Sequence, residues 1–268
     1  MGAKRRLSAR QAGLIAALLS VVVTACGGEG TAAAPTTSTS ADRCATRVPL
    51  LIELHGYSEH SSGHESAVQW EPFAEEHGFL VITPQAGGDP PHWDLDADVL
   101  TVERIIDDAV ASRCVDADRV YVSGYSMGAM LISELVCRIP DKVAAVAPVA
   151  GVRLVEPCEP TRPVPALIMH GTADDTVLWE GGINRFAADA LEMSTEGPSI
   201  IAIAAAWAAR NGCEPDADVT VDGRITEHVY RCPDDAAVEL HVIEEGVHGW
   251  PTGANDRIWA FFERHALD

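Results

Sequence analysis

From Val48 to its C-terminus the chain alternates short runs rich in Val, Leu and Ile with stretches of helical spacing. No other feature limits the fold as strongly. Residues 48–54 (VPLLIEL) read as a buried strand, and 79–83, 119–123, 143–149, 164–170 and 238–243 read as further strands. Between them, 67–77, 99–112, 129–137, 184–191, 200–210 and 256–265 read as helices; Val102, Ile105, Ile106 and Val110 fall on one helical face. Residues 220–232 read as a polar hairpin. Repeated strand–helix units argue for an α/β fold, a mostly parallel sheet with helices on both faces in a single domain.

The N-terminus has a different character. Lys4, Arg5, Arg6 and Arg10 form a basic segment ahead of an apolar stretch over 12–23. That stretch is shorter than the ~20 residues a membrane-crossing helix needs, and the pattern is that of a signal peptide. It ends Val23-Thr24-Ala25-Cys26, which is similar to a bacterial lipobox, where the Cys becomes the lipidated first residue. The expected organisation is a signal peptide over 1–25, a lipidated Cys26 opening a flexible Gly/Ala/Thr/Ser linker over 26–43, and a folded domain over 44–268. An ordinary signal peptide cut near Ala25 is the competing reading. Both place the protein outside the cytoplasm, and the first anchors it at the membrane through lipid alone.

Of the 268 residues, 47% are apolar and 22% charged, which suits a packed globular core and not a disordered chain. Lys and Arg number 19 against 40 Asp and Glu, a formal charge of −21. Such a chain repels phosphate backbones, so nucleic acid is excluded as a partner. Beyond Cys26 there are six cysteines: Cys44, Cys114, Cys137, Cys158, Cys213 and Cys232. Their even number and the absence of any CxxC spacing fit disulfides in an exported protein and argue against a zinc knuckle or a thioredoxin site. No cofactor motif or metal-ligand constellation is present, and nothing fixes an oligomeric state.

Gly124-Tyr125-Ser126-Met127-Gly128 is G-x-S-x-G placed between an expected strand and an expected helix. This is the context of a nucleophile elbow, in which a sharp turn projects the Ser hydroxyl and flanking glycines leave room for neighbouring backbone. A serine hydroxyl needs a base, and the base an orienting carboxylate, in chain order Ser, acid, His. Downstream lie His170, His228, His241, His248 and His265. His248 follows the last strand, in a loop where open α/β sheets place their sites, and is the best base. The acid follows the strand over 164–170, where Asp174 and Asp175 compete. The Met127 N–H and the Tyr57 N–H, the latter in the loop Leu54-His55-Gly56-Tyr57, are the natural oxyanion donors. His55 reads as structural, and His60 and His64 as ordinary loop residues.

The chain from Val48 onward resembles the α/β-hydrolase esterases grouped with poly(3-hydroxybutyrate) depolymerases, feruloyl esterases and acetylxylan esterases. The resemblance rests on Leu54-His-Gly56, Gly78-Phe-Leu-Val81 with Pro84, the run Val115 to Gly128 (VDADRVYVSGYSMG), Ala144 to Gly151 (AAVAPVAG), His170-Gly-Thr-Ala-Asp174, Glu180-Gly-Gly182, Trp207 with Asn211-Gly-Cys213, and His248-Gly-Trp-Pro251. It implies an α/β-hydrolase fold and a serine esterase with Ser126, Asp174 and His248 as its triad. Because that fold sets neighbouring strands side by side, it also implies the disulfides Cys44–Cys114 and Cys137–Cys158, with Cys213 and Cys232 flanking the hairpin. Thr83-Pro84-Gln85 departs from the family, where many members have an aromatic before the Pro and an Asp after it.

Tyr57, Tyr125, Trp179 and Trp250 lie in or beside the expected catalytic loops, Tyr125, Trp179 and Trp250 as substrate-contacting candidates. They suit hydroxyalkanoate, feruloyl or acetyl esters, and the absence of a long lid insertion leaves room for a small or a polymeric ester. Two alternatives are a catalytically silent binding lipoprotein and a serine peptidase, both of the same fold.

Overall fold

The computed structural model describes Cys44, residues 46–233 and residues 236–267. The expected signal peptide, Cys26 and the whole linker over 26–43 lie outside the described residues.

Eight strands form one sheet: β1 (Val48–Leu54), β2 (Leu80–Ile82), β3 (Val115–Tyr125), β4 (Ala145–Val149), β5 (Ala166–Gly171), β6 (Ala217–Asp222), β7 (Ile225–Tyr230) and β8 (Val238–Ile243). Their order is β2-β1-β3-β4-β5-β8-β7-β6. The six strands from β2 to β8 in that order run parallel, and the β6–β7 hairpin continues the sheet antiparallel. The helices are α1 (Ser61–Val68), α2 (Trp70–His77), α3 (Asp98–Ser112), α4 (Met127–Arg138), α5 (Arg185–Leu191), α6 (Ile200–Arg210) and α7 (Ala254–Phe262).

The strands are apolar along their length because both faces are covered. In β1, Leu50, Ile52 and Leu54 enter a core shared with α3, α4, α5 and α6, while Leu51 points into a second core shared with α1, α2 and α7. In α3 the buried residues Val99, Val102, Ile106 and Ala109 follow helical spacing, with Ile105 and Val110 packed alongside. α4 crosses the middle of the sheet, and nine of its twelve residues are buried. That explains its almost wholly apolar sequence.

Two sequence expectations need correction. The single helix over 67–77 is two helices, α1 and α2, broken at Gln69, whose φ of 58° is left-handed. α1 begins at Ser61, inside a run that reads as a loop because its buried positions, His64 and Glu65, are polar. Glu65 turns its Oε1 to the Glu71 N–H at 2.5 Å and so caps the start of α2. The hairpin begins earlier than 220, at Ala217, and turns at Gly223.

Three disulfides tie the frame: Cys44–Cys114, Cys137–Cys158 and Cys213–Cys232. They join the starts of β1 and β3, the end of α4 to the segment before β5, and the two ends of the hairpin. Each contributes about 2–4 kcal/mol.

Candidate active site

Ser126 stands between β3 and α4 with φ 53° and ψ −114°, an unusual backbone for a residue with a Cβ. The surroundings hold it there: its N–H donates to the Val149 carbonyl at 2.9 Å, and its carbonyl accepts the Met130 N–H at 3.0 Å. The elbow can be this tight because of Gly128. A Cβ there would lie 2.1 Å from the backbone oxygen of Leu54, and one on Gly124 would lie 2.9 Å from the Leu54 Cβ. α4 thus begins directly against the end of β1.

His248 lies five residues past the end of β8. Its Nε2 is 3.0 Å from the Ser126 Oγ, and its Nδ1 is 2.8 Å from the Asp174 Oδ2. Asp174 is buried at 4% exposure. Its Oδ1 accepts the N–H groups of Thr176 and Val177, both at 2.9 Å, and this local turn aims Oδ2 at the imidazole. Asp175 is exposed, and among the described residues its carboxylate accepts only the Thr176 hydroxyl, at 3.3 Å. The geometry therefore separates two neighbours that the sequence leaves in competition.

His170 sits behind Asp174, 3.4 Å from its Oδ2, with Nε2 donating to the Val177 carbonyl at 2.8 Å. Burial holds its pKa below the usual histidine value, so it supports the loop as a neutral ring. His228 and His241 lie within β7 and β8, and His265 follows α7.

Met127 is the first residue of α4, so its N–H has no partner within the helix, and the helix dipole adds positive potential there. Tyr57 follows β1. Leu54 pairs with Gly124 across the β1–β3 ladder, so Tyr57 and Met127 each lie three residues beyond paired positions on adjacent strands. No hydrogen bond among the described residues uses either N–H. The two peptide units before Tyr57 Cα are clamped. The His55 carbonyl accepts the Trp93 indole N–H at 2.7 Å, the Gly56 N–H donates to Glu59 Oε2 at 2.7 Å, and the Gly56 carbonyl accepts His55 Nδ1–H at 2.8 Å. His55 Nε2 accepts the Ala86 N–H at 3.0 Å, which fixes that tautomer. His55 is thus a buried structural residue, in keeping with its reading from sequence.

His64 is not an ordinary loop residue. It lies in α1, 3% exposed, between Glu53 and Glu59. The sequence signal was Glu53, a carboxylate inside the buried run VPLLIEL, which needs a partner. His60 precedes α1 and is exposed.

The four aromatics do not form one cleft. Tyr125 lies against His248, with ring centroids 5.1 Å apart. Trp250 packs edge-on to His64 and Trp70 and donates its N–H to Asn255. Both belong to the α1–α2–α7 side, whereas Tyr57 and Trp179 pack on the opposite core. A cavity of about 350 Å³ on that opposite side is lined mainly by aliphatic residues and Met, among them Met130, Val152, Val177, Ile183 and Ile203, with Arg153, Ser194 and Glu196 also in its wall. It adjoins the candidate site through Met130, one turn beyond Ser126, and through Val177, whose N–H bonds Asp174. Among the described residues no group of three or more His, Cys, Asp or Glu side chains is arranged to hold a metal ion, and no helix is long and apolar enough to cross a membrane.

Residues 49–194 match a family model described as the alpha/beta hydrolase fold. A bifunctional acetylxylan esterase/xylanase from Neocallimastix patriciarum is 36% identical over 134 residues, 49% of this chain and 20% of that protein. A feruloyl esterase B from Piromyces equi is 29% identical over 237 residues, 82% of this chain and 42% of that protein. The chain spans less than half the length of these curated relatives. Among solved structures, an acetyl xylan esterase from Aspergillus awamori superposes with a TM-score of 0.62 at 15% identity, covering 82% of this chain and 90% of that one, a likeness of fold.

Proposed function

The chain belongs to the α/β-hydrolase fold family, and from that premise we propose that it is a serine esterase in which Ser126 is the nucleophile, His248 the base and Asp174 the orienting acid. One observation carries the reading: His248 bridges the Ser126 hydroxyl at 3.0 Å and the buried Asp174 carboxylate at 2.8 Å. His248 takes the serine proton as Oγ bonds to the ester carbonyl carbon. The tetrahedral intermediate places its oxyanion toward the Met127 and Tyr57 N–H groups. Its collapse breaks the bond to the alkoxy oxygen, which leaves as the alcohol with the proton from His248. Water, deprotonated by the same ring, then attacks the acyl-enzyme; the bond from the acyl carbon to Ser126 Oγ breaks, Oγ takes the proton back from His248, and the acid leaves.

The relatives' names point to ester-linked acetyl or feruloyl groups, and hydroxyalkanoate esters share that chemistry. The apolar wall of the cavity beside Met130 and Val177 suits the apolar part of such an ester. Tyr125 and Trp250, on the other side of His248, and Trp179, beside His170, remain the substrate-contacting candidates. The chain acts after export, with 1–25 removed, Cys26 lipidated, 26–43 as tether and 44–268 as the catalytic domain. Turnover of acetyl, feruloyl, acetylxylan and polyhydroxybutyrate esters by the wild type and by Ser126→Ala tests the reading. Ser126-dependent hydrolysis of at least one ester is expected. Cleavage of peptide anilides alone would make it a peptidase, and no turnover at all would leave a binding protein.

A further inference from the structure

Beneath the β1 loop lies a polar cluster that the proposed reaction does not use. Glu53 is fully buried in β1. Its Oε2 accepts the Ser123 hydroxyl, and its Oε1 is 2.8 Å from His64 Nε2. The other ring nitrogen, Nδ1, is 3.1 Å from Glu59 Oε2, and that oxygen also accepts the Gly56 N–H at 2.7 Å. A chain of contacts thus runs from β3 through β1 and α1 to the peptide next to Tyr57.

A ring between two carboxylates donates from both nitrogens only when protonated. The groups facing or near His64 are Glu53 from β1, Glu59 and His55 from the loop, and the Tyr125 ring from β3, stacked at 6.1 Å; Trp250 meets it edge-on. Burial works against the charge, but the hydrogen bonds to Glu53 and Glu59 more than offset it and raise the His64 pKa to about 9. Burial also opposes the Glu59 charge, and the bonds from His64 and Gly56 overcome it, holding Glu59 below the usual glutamate value.

We propose that Glu53, His64 and Glu59 are positioning residues for the oxyanion loop: His64 fixes Glu59, Glu59 fixes the His55–Gly56 peptide, and the Tyr57 N–H is thereby aimed at the developing oxyanion. The proposal rests on the reading of Ser126 as nucleophile and Tyr57 as donor. Nothing in the cluster touches substrate. It acts by denying the loop the freedom that Gly56 would otherwise give it.

Glu59 offers the cleanest test because it is partly exposed and its loss leaves the buried Glu53–His64 pair intact. Glu59→Ala is expected to lower kcat on p-nitrophenyl acetate by about ten-fold or more with KM within about two-fold. A trifluoromethyl ketone, whose serine adduct carries an oxyanion, should lose affinity by the same factor. Glu59→Gln, which keeps an acceptor for Gly56, should recover most of both. If kcat of Glu59→Ala stays within about three-fold of the wild type, or falls without a matching loss of ketone affinity, the proposal is overturned. A wild type without Ser126-dependent turnover overturns the functional reading itself, and this proposal with it.

Discussion

His248 lies between an alcohol and one carboxylate, and His64 lies between two carboxylates. Each cluster holds a serine, Ser126 just past the end of β3 in one and Ser123 within β3 in the other. In the first, the serine hydroxyl meets the ring; in the second, it donates to Glu53 and never reaches the ring. His248 sits at the open rim with its side chain 16% exposed, and His64 is 2% exposed on the same measure. In the proposed reading the same residue types thus serve two ends, a ring that exchanges a proton with substrate and a ring held between two carboxylates. What separates them is the number of carboxylates and access to solvent.

Mutation can break this contrast at its strongest point first. Ser126→Ala or His248→Ala should lower kcat by about 10⁴-fold or more without unfolding the protein, read by ester kinetics beside circular dichroism. Asp174→Asn should cost roughly 10³–10⁴-fold, because the wrong tautomer then faces Ser126, while Asp175→Asn stays within about two-fold. A larger loss from Asp175→Asn would move the acid to that residue. The Glu59 variants follow with their smaller, oxyanion-specific effect.

The next prediction concerns pH. His64 has a folded pKa of about 9, above its unfolded value of 6.5. Its contribution to stability is therefore fully present below pH 6.5 and is lost as pH rises through about 9. Denaturant titrations between these limits should show stability falling, and kcat should decline over the same upper range as the Glu59 link loosens. In Glu59→Gln, which removes one of the two carboxylates, the decline should begin at lower pH. The smallest effect is expected far from both rings. Cys213→Ser with Cys232→Ser should lower Tm by several degrees and leave kcat unchanged, because that bridge ties only the edge hairpin.

The sheet was legible because strands buried on both faces must be apolar, and the elbow because G-x-S-x-G fell between a strand and a helix. His248 stood out by its place past a strand end. Asp174 and Asp175 could not be separated by residue type; the difference lies in the Thr176 and Val177 amides that orient one of them. The His64 cluster was hidden because helical periodicity is read from apolar residues, and α1 buries polar ones. The break at Gln69 escaped the pattern because the apolar residues of α2 continue smoothly from Val68; the new start is marked by Pro72, which fits a first turn and not a helix interior, and by Glu65 capping Glu71.

The central claim is that Ser126 is activated by His248. A fluorophosphonate probe followed by peptide mapping addresses it directly. The account predicts a single adduct on Ser126 in the wild type and almost none in His248→Ala. An unlabelled wild type, an adduct on another residue, or equal labelling of both proteins would contradict it.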